Sequence, residues 1–271
     1  MRIVKRICSY AARQVLGTIT HVATRDRVAA LTFDDGPDPE YTPRLLQVLE
    51  KHQARATFFM TGEAAQNHPA LVARIAQAGH AIGNHSWDHP SFPLISGRER
   101  RAQIRACAKA IAPYGALLFR PPYCDQNVAS RLDAFLLGYK VVMFNVATDD
   151  WCGQDGISIA HQIERRIQPG SVIVLHDRLS DALEEAYFDR EPVLQGVDIL
   201  LQRVGGQFRF VTVPALLRHG RAQKEIWCQE TNVELLNNLR AAVGPGRRYA
   251  QTNRSQWLSH LRDLLVEIQP R

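Results

Sequence analysis

Cysteine is scarce in this 271-residue sequence, and its placement is irregular. The five cysteines are odd in number, lie far apart and include no CxxC pair. This is not the arrangement of a disulfide framework, so reduced thiols are expected. Long apolar runs are also missing, since none approaches the roughly 18 residues that a membrane-spanning helix requires.

The start of the sequence, "MRIVKRICSYAARQVLGTIT", lacks the continuous apolar stretch of a signal peptide, because Arg13 and Gln14 interrupt it. A cleaved export signal is therefore not expected, which favours a cytoplasmic location or one at the inner face of the membrane. Apolar residues at nearly helical spacing predict a short amphipathic helix, packed on the protein or, alternatively, on an anionic membrane surface. These residues are Ile3, Val4, Ile7, Ala11 and Val15.

A basic stripe within the body of the sequence is absent as well. The formal net charge is +6 and the pI is near 9.2. Residues 1–30 carry about +5, residues 31–213 about −3 and residues 214–271 about +4, so the basic character lies in the flanks. No recognition motif for DNA or RNA accompanies this distribution, and nucleic acid is not expected as a partner.

Short apolar runs alternate with helix-period segments from residue 28 onward, which predicts parallel strands joined by helices. The number of such units favours a closed or nearly closed barrel over an open sheet. Three parts are expected: an N-terminal basic segment (1–27), a β/α domain (28–213) and a C-terminal helical extension (214–271). In the extension, "PALLRHG", "NVELLNNLRAAVG" and "SQWLSHLRDLLVEI" are predicted helices that pack on the barrel or, alternatively, serve as an interaction element.

Chemistry-bearing side chains follow the predicted strands where each strand ends. In a barrel of parallel strands these ends share one mouth, which is where such barrels have their active sites. We therefore expect six side chains to lie together: Asp34, Asp35, His85, Arg120, Asp150 and His176.

The stretch "GNHSWDHP" places His85 and His89 four residues apart. On one helical turn both imidazoles would lie on the same face and reach one cation, with a carboxylate from elsewhere as third ligand. The adjacent carboxylates of Asp34 and Asp35 then have a use, since one binds the metal and the other acts as a base. Taken alone, each pattern is weak, and the acids would more often be solvated turn residues before Gly36-Pro37.

Five motifs together resemble the polysaccharide deacetylase family, the NodB-homology group of carbohydrate esterases known as carbohydrate esterase family 4. They are "TFDDGP" at 32–37, "HSWDH" at 85–89, "RPPY" at 120–123, "DDW" at 149–151 and "VLHD" at 174–177. The resemblance covers roughly residues 28–213. It implies a distorted, TIM-like (β/α) barrel that removes acetyl groups from N-acetylated amino sugars of an oligo- or polysaccharide such as a chitooligosaccharide, peptidoglycan or exopolysaccharide.

The resemblance also implies a metal centre. Asp35, His85 and His89 match the family's metal ligands, which hold a divalent ion, most often zinc. Asp34 matches the general base that deprotonates the attacking water, and Arg120 is expected to pair with it and keep it charged.

The remaining roles that the resemblance implies concern the leaving group and the acetyl pocket. His176 matches the general acid, with Asp150 holding it charged and oriented. The backbone N–H of Tyr123 matches the oxyanion donor, and Tyr123 also lies where substrate binds. Trp151 and Leu175 are expected to form walls of the pocket for the acetyl methyl group.

The sequence departs from the family pattern at three positions. Ala147 stands where many members have an aspartate, Cys124 replaces the usual glycine after "RPPY", and Val174 replaces a leucine. Two alternatives to N-deacetylation stay open, and Ala147 is the reason for the second of them. One is hydrolysis of O-acetyl sugars or of another amide at the same site, and the other is a catalytically silent carbohydrate-binding protein.

Overall fold

Ten strands form the framework of the fold in the computed structural model, which describes residue 13 and residues 16–182 and 184–227. The strands are β1 Thr18–Ala23, β2 Val28–Asp34, β3 Ala56–Met60, β4 Ala81–Asn84, β5 Gly115–Phe119, β6 Lys140–Val141, β7 Val146–Ala147, β8 Val172–His176, β9 Arg209–Phe210 and β10 Arg221–Glu225.

Seven of these strands follow one another in a parallel sheet of order β6-β5-β4-β3-β2-β8-β7, and β9 also pairs with β2. Helices connect them in the right order for β/α units. The helices are α1 Tyr41–Lys51, α2 Gly62–Asn67, α3 Pro69–Gln77, α4 Gly97–Ala110, α5 Val128–Leu136, α6 Gly156–Glu164, α7 Glu191–Val204 and α8 Val213–Leu216.

The two faces of the sheet carry different side chains. Because side chains alternate along a strand, Leu31 and Phe33 of β2 face the helices and join the larger apolar core. Ala30 lies in the second core on the opposite face, and Thr32 and Asp34 share that orientation. The inner face therefore becomes polar toward the end of β2, where the predicted mouth lies.

Residues 142–145, the closing segment, join the two edges of the sheet. The N–H of Val142 donates to the carbonyl of Phe119 in β5 at 2.9 Å, and the N–H of Asn145 donates to the carbonyl of Val172 in β8 at 3.1 Å. The chain thus passes from one edge to the other and completes a distorted barrel. The predicted α/β barrel is confirmed.

The predicted continuous strand over residues 139–146 is wrong, because the structure has two short strands, β6 and β7, on either side of the closing segment. The physical reason is that this stretch has a different partner at each end. In addition, the carbonyls of Val142 and Met143 accept hydrogen bonds from the Arg120 side chain instead of from a neighbouring strand.

The two flanks of the chain contribute a small antiparallel sheet that the sequence did not predict. β1 comes from the basic N-terminal segment, and β10 comes from the predicted helical extension. The expectation that strands end before Pro214 is therefore wrong, although α8 overlaps the first predicted tail helix. Sequence alone missed this pair because "RAQKE" has no apolar alternation, and its burial depends on β1.

Several expectations concern parts of the chain outside the described residues: the N-terminal amphipathic helix over residues 3–15, of which only residue 13 is described, and the tail helices at 232–244 and 255–268. Among the described residues, no helix is both long and apolar enough to span a bilayer. The expected cellular location stays a prediction.

Gly83 in β4 allows an aromatic ring to lie against the sheet. A Cβ atom there would approach Cδ1 of Phe59 to 2.5 Å, and the Phe59 ring lies 4.2 Å below the Arg120 guanidinium. We expect Gly83→Ala to lower the free energy of unfolding by about 1–3 kcal/mol, because the ring cannot move without disturbing Arg120. Urea denaturation measures this change.

Gly206→Ala provides the control, because nothing lies within 4 Å of a Cβ atom at Gly206. Its free energy of unfolding should stay within about 0.5 kcal/mol of the parent value. Equal stability of the two variants would contradict the proposed crowding at Gly83.

Candidate active site

The mouth of the barrel brings a carboxylate and an imidazole side by side. Asp34 ends β2 and His176 ends β8, and the two residues are register partners on these neighbouring parallel strands. Both side chains point to the inner face, as strand alternation requires. The predicted base and the predicted acid therefore lie next to each other, although they are 142 positions apart in sequence.

Arg120 lies beneath Asp34 and is almost fully buried. Its Nη1 donates to Asp34 Oδ1 at 2.7 Å and to Thr32 Oγ1 at 2.8 Å. Its Nε donates to the carbonyl of Val142 at 3.1 Å and its Nη2 to that of Met143 at 3.0 Å. The structure thus brings Arg120 and Asp34 together as expected, and the guanidinium holds the carboxylate in one orientation.

Asp35 points away from Asp34 for a reason other than simple strand alternation. Its backbone is left-handed, with φ of 71°, so the chain leaves the strand at this residue. The N–H of Ser180 donates to Asp35 Oδ2 at 2.7 Å. This contact turns the other oxygen, Oδ1, toward two imidazole rings.

His85 and His89 meet at Asp35, but they do not lie on a helical turn. His85 directly follows β4, and His89 lies in a bend with φ of 60°. The bend is held open because Gln103 Oε1 accepts hydrogen bonds from the main-chain N–H groups of residues 87 and 88. The predicted helix is therefore wrong, while the predicted convergence is observed. Both Nε2 atoms lie 3.2 Å from Asp35 Oδ1.

These three side chains fit a metal ion. Nδ1 of His85 lies 2.7 Å from the carbonyl oxygen of Arg120, to which it can only donate, so in the neutral ring Nε2 presents a lone pair to Asp35. Oδ1 of Asp35 is buried and has no hydrogen-bond partner in the part of the chain that is described. Two imidazole nitrogens and a carboxylate oxygen within 4.8 Å of one another are a donor set for a divalent transition ion.

The electrostatics of this cluster favour positive charge beside the carboxylate. Burial alone would raise the pKa of Asp35, but the facing imidazoles of His89 and His85 hold it well below its usual range. Burial alone would lower the pKa of His89, but the carboxylates of Asp35 and Asp181 raise it. A metal cation bound between the three ligands would stabilise the ionised Asp35 carboxylate in the same way.

His176 is held by Asp150, as expected. Asp150 Oδ1 lies 3.1 Å from Nδ1 of His176. Asp150 Oδ2 accepts a hydrogen bond from the main-chain N–H of His176 at 2.9 Å. Burial alone would lower the pKa of His176, but the Asp150 carboxylate raises it to about 9. The Nη1 of Arg190 lies 3.5 Å from Asp150 Oδ2 and donates to the Asp150 carbonyl at 3.0 Å.

Tyr123 and Trp151 lie near the mouth, whereas Leu175 does not face it. Tyr123 has a left-handed backbone with φ of 54° in the loop after β5, and its ring stands edge-on to His89 with 4.4 Å between centroids. Trp151 packs on the small cluster around Leu179. Leu175 is fully buried between sheet and helices, because it alternates with His176 along β8, so the expected pocket-wall role of Leu175 is wrong. Val174 has the inward orientation instead.

The loop after β8 supplies functional contacts that the sequence did not reveal. Asp181 accepts a short hydrogen bond from the Tyr123 hydroxyl, and its Oδ2 lies 3.6 Å from Nδ1 of His89. Burial raises the pKa of Asp177 to about 7, and this carboxyl accepts from the Thr42 hydroxyl. In the sequence, Asp177 stood out only as the last residue of the motif "VLHD". No motif or residue spacing in the sequence predicted a role for Asp181.

The comparisons with known proteins agree with this geometry. The family model described as polysaccharide deacetylase matches residues 21–142. The chain is 34% identical over 198 residues to a peptidoglycan-N-acetylglucosamine deacetylase of Bacillus cereus, covering 72% of this chain and 70% of that protein. It is 34% identical over 167 residues to a chitooligosaccharide deacetylase of Azorhizobium caulinodans, covering 60% of this chain and 80% of that protein.

Solved structures show the same fold. The crystal structure of the Bc1960 peptidoglycan N-acetylglucosamine deacetylase superposes with a TM-score of 0.67 at 31% identity, covering 75% of this chain and 94% of that one. This chain belongs to the polysaccharide deacetylase family. It is an enzyme of that class, and its relatives support deacetylation of N-acetylated sugar polymers.

Asp181 generates a testable expectation about metal binding. Its carboxylate faces the outer nitrogen of the ligand His89, and such outer partners are typically worth about 10–100-fold in metal affinity. We expect Asp181→Asn to weaken Zn²⁺ binding by a factor in this range, measured by competition with a chromophoric chelator.

Asp88→Asn is the matched control for this measurement. Asp88 is adjacent to His89 in sequence and carries the same charge, but it is exposed and pairs with Gln103. Equal affinities for Zn²⁺ in the two variants would show that only net charge matters and that Asp181 has no orienting effect.

Proposed function

We propose that this enzyme is a zinc-dependent deacetylase that hydrolyses the N-acetyl groups of amino sugars in a glycan, with N-acetylglucosamine oligomers of peptidoglycan or chitin type as substrates. The observation that carries this proposal is that Asp34 and His176 are register partners on the neighbouring strands β2 and β8. They lie beside the cluster of Asp35, His85 and His89. The names of the relatives support the choice of glycan.

Hydrolysis of an amide has three requirements: an activated water, a site for negative charge on the carbonyl oxygen, and a proton for the amine that leaves. A divalent cation held by Asp35, His85 and His89 would supply positive charge that polarises both the water and the carbonyl oxygen. Zinc suits this set of two nitrogens and one oxygen, which leaves positions open for water and substrate.

Asp34 is suited to the role of base. The hydrogen bond from Arg120 keeps Oδ1 of Asp34 in place, at 2.7 Å from Nη1. The left-handed backbone of Asp35 directs that neighbouring carboxylate elsewhere, so the two acids do not compete for one position. Asp34 then accepts the proton of the attacking water, and Arg120 keeps the Asp34 carboxyl group in position.

His176 is suited to the role of acid. With its pKa raised to about 9, the imidazole holds a proton at neutral pH. Asp150 contacts Nδ1, so Nε2 is the nitrogen left to donate to the leaving amine. A binding protein has no need of both a base and an acid, which argues against the silent alternative.

Release of acetate from N-acetylglucosamine oligomers tests the proposal. The wild-type enzyme should release acetate, lose this activity with a chelator and regain it with Zn²⁺. Asp34→Asn should lower kcat by about 10²–10⁴-fold, because the base is lost while the shape of the site is retained.

Binding of sugar oligomers with no acetate from any acetylated glycan would refute the enzymatic proposal. Acetate released only from O-acetylated sugars would favour the esterase alternative. Asp88→Asn, at an exposed position, should keep kcat within about twofold of wild type.

The pH profile tests the role of His176. Because an acid must be protonated, activity should fall as pH rises through about 9 in the wild type. Asp150→Asn removes the carboxylate that raises this pKa, so the alkaline limb of kcat should shift to lower pH. The profile of acetate release against pH measures the shift.

Asp155→Asn is the control for the pH profile. Asp155 is the N-cap of α6, a position that asparagine also suits, and it is exposed. The alkaline limb of the kcat profile of the Asp155→Asn variant should match that of the wild type. If Asp150→Asn left the limb unchanged, His176 would not be the group that titrates.

A further inference from the structure

Arg190 is a buried cation with no part in the steps assigned to Asp34 and His176. With 2% of its surface exposed, it is almost as deeply buried as Arg120. Burial lowers the pKa of Arg190, and the Asp150 carboxylate opposes this effect more strongly than any other group does. Removing a guanidinium from water is costly unless a complete set of partners offsets the lost hydration. The partners of Arg190 therefore indicate what its burial achieves.

The guanidinium of Arg190 connects the loop after β7 with the loop before α7. Nη1 donates to the carbonyl of Asp150 at 3.0 Å, and it lies 3.5 Å from Oδ2 of the same residue. Nε donates to the carbonyl of Asp189 at 3.0 Å, and Nη2 donates to the carbonyl of Tyr187. All three nitrogens are thus engaged, and a planar group with donors in fixed directions holds both loops at once.

The start of α7 does not require an arginine at this position. Arg190 is the N-cap residue, but its side chain makes no capping hydrogen bond, and short polar residues are the usual N-caps. Instead, Oδ1 of Asp189 accepts from the main-chain N–H of Glu191 at 2.8 Å and from the Tyr41 hydroxyl at 3.2 Å. The burial of the arginine is therefore better explained by its contacts with Asp150 than by the helix.

Asp150 lies between Arg190 and His176. Its Oδ2 accepts from the main-chain N–H of His176 at 2.9 Å and lies 3.5 Å from Nη1 of Arg190. The Asp150 side chain has no exposed surface, and the contact of Arg190 with its carbonyl also fixes its main chain. Because the direction of the imidazole follows from the carboxylate that contacts Nδ1, a group that fixes Asp150 also fixes the ring.

We propose that Arg190 is a positioning residue for the catalytic acid. It holds Asp150 in the orientation that directs Nε2 of His176 toward the leaving amine, and it acts through Asp150 without contact with the substrate. This inference rests on the proposed function, since that function makes His176 the acid.

Histidine ¹⁵N NMR of the full chain with Zn²⁺ added tests the positioning through the titration of His176, whose resonance is assigned from its absence in His176→Gln. The Asp150 carboxylate raises the pKa of His176 to about 9 in the wild type. Arg190→Met removes every donor, so Asp150 turns from the ring and this pKa should fall toward the unperturbed value of about 6.5. Loss of the positive charge alone would raise the pKa, because a neighbouring cation disfavours the imidazolium. A raised or unchanged pKa would overturn the proposal.

Arg190→Lys carries the test alone if Arg190→Met does not fold. Lysine keeps the charge but has one nitrogen in place of the planar fork, so it cannot reach all three carbonyls in the same geometry. The pKa of His176 should therefore fall in this variant too. An unchanged value would show that only the charge at this position matters, which contradicts a positioning role.

A double variant tests whether Arg190 acts through Asp150. In Asp150→Asn, the added change Arg190→Met should lower the pKa of His176 no further, since the carboxylate is already lost. A further fall of equal size would mean that Arg190 acts by another route. Arg203→Met is the matched control, because Arg203 is exposed on the same helix and pairs with Glu164 at 3.3 Å. The pKa of His176 in this control should equal that of the wild type.

Acetate release separates this proposal from the proposed function. Arg190→Met should lower kcat about 10²-fold and leave KM within about twofold, because a displaced acid slows proton transfer without altering substrate binding. If the wild type released no acetate while the pKa of His176 fell in Arg190→Met, the proposed function would fail and the positioning of His176 by Arg190 would stand. A wild-type kcat and an unchanged pKa in Arg190→Met would overturn the positioning role alone.

Discussion

The buried ion pair of Arg120 with Asp34 is the interaction on which both the barrel and its site depend. Removing two charges from water costs several kcal/mol for each ion, which only a complete set of partners offsets. Arg120 finds these partners on β2 and on the closing segment, and its guanidinium rests on the Phe59 ring. The candidate base is thus held by the same side chain that binds the closing segment between the two edges of the sheet.

Two neighbouring carboxylates repel each other unless each of them faces a different positively charged or hydrogen-bonding partner. Asp34 remains in the strand and faces a guanidinium, while Asp35 adopts a left-handed backbone and faces two imidazoles. The loop after β8 reinforces this separation, because Ser180 fixes one oxygen of Asp35 and Asp181 faces His89. The same loop reaches Asp150 through Arg190. One connection between a strand and a helix therefore supports the metal ligands and the orientation of the candidate acid.

The sequence predicted the framework well wherever local pattern and packing agree. Alternating apolar runs predicted the strands that end at Asp34 and His176 and the strand that His85 follows, and the five motifs identified the family. Prediction from the sequence failed for segments whose hydrogen-bonding partners are distant in sequence. The strand over residues 139–146 divides because its two ends pair with different strands, and β10 becomes a strand because it meets β1. His85 and His89 converge through a bend held by Gln103, which their spacing alone could not distinguish from a helical turn.

The sequence by itself determined the class of enzyme and the chemical types of the residues at the mouth, because those residue types and their order are local properties of the chain. Only the tertiary structure decided which atoms face one another. It turned Leu175 toward the helices and Val174 toward the inner face of the sheet, added Asp181 beside His89, and left the apolar side of α5 exposed. The physical reason is that the orientation of a side chain follows from strand register, backbone φ and packing between distant segments, none of which a single stretch of sequence contains.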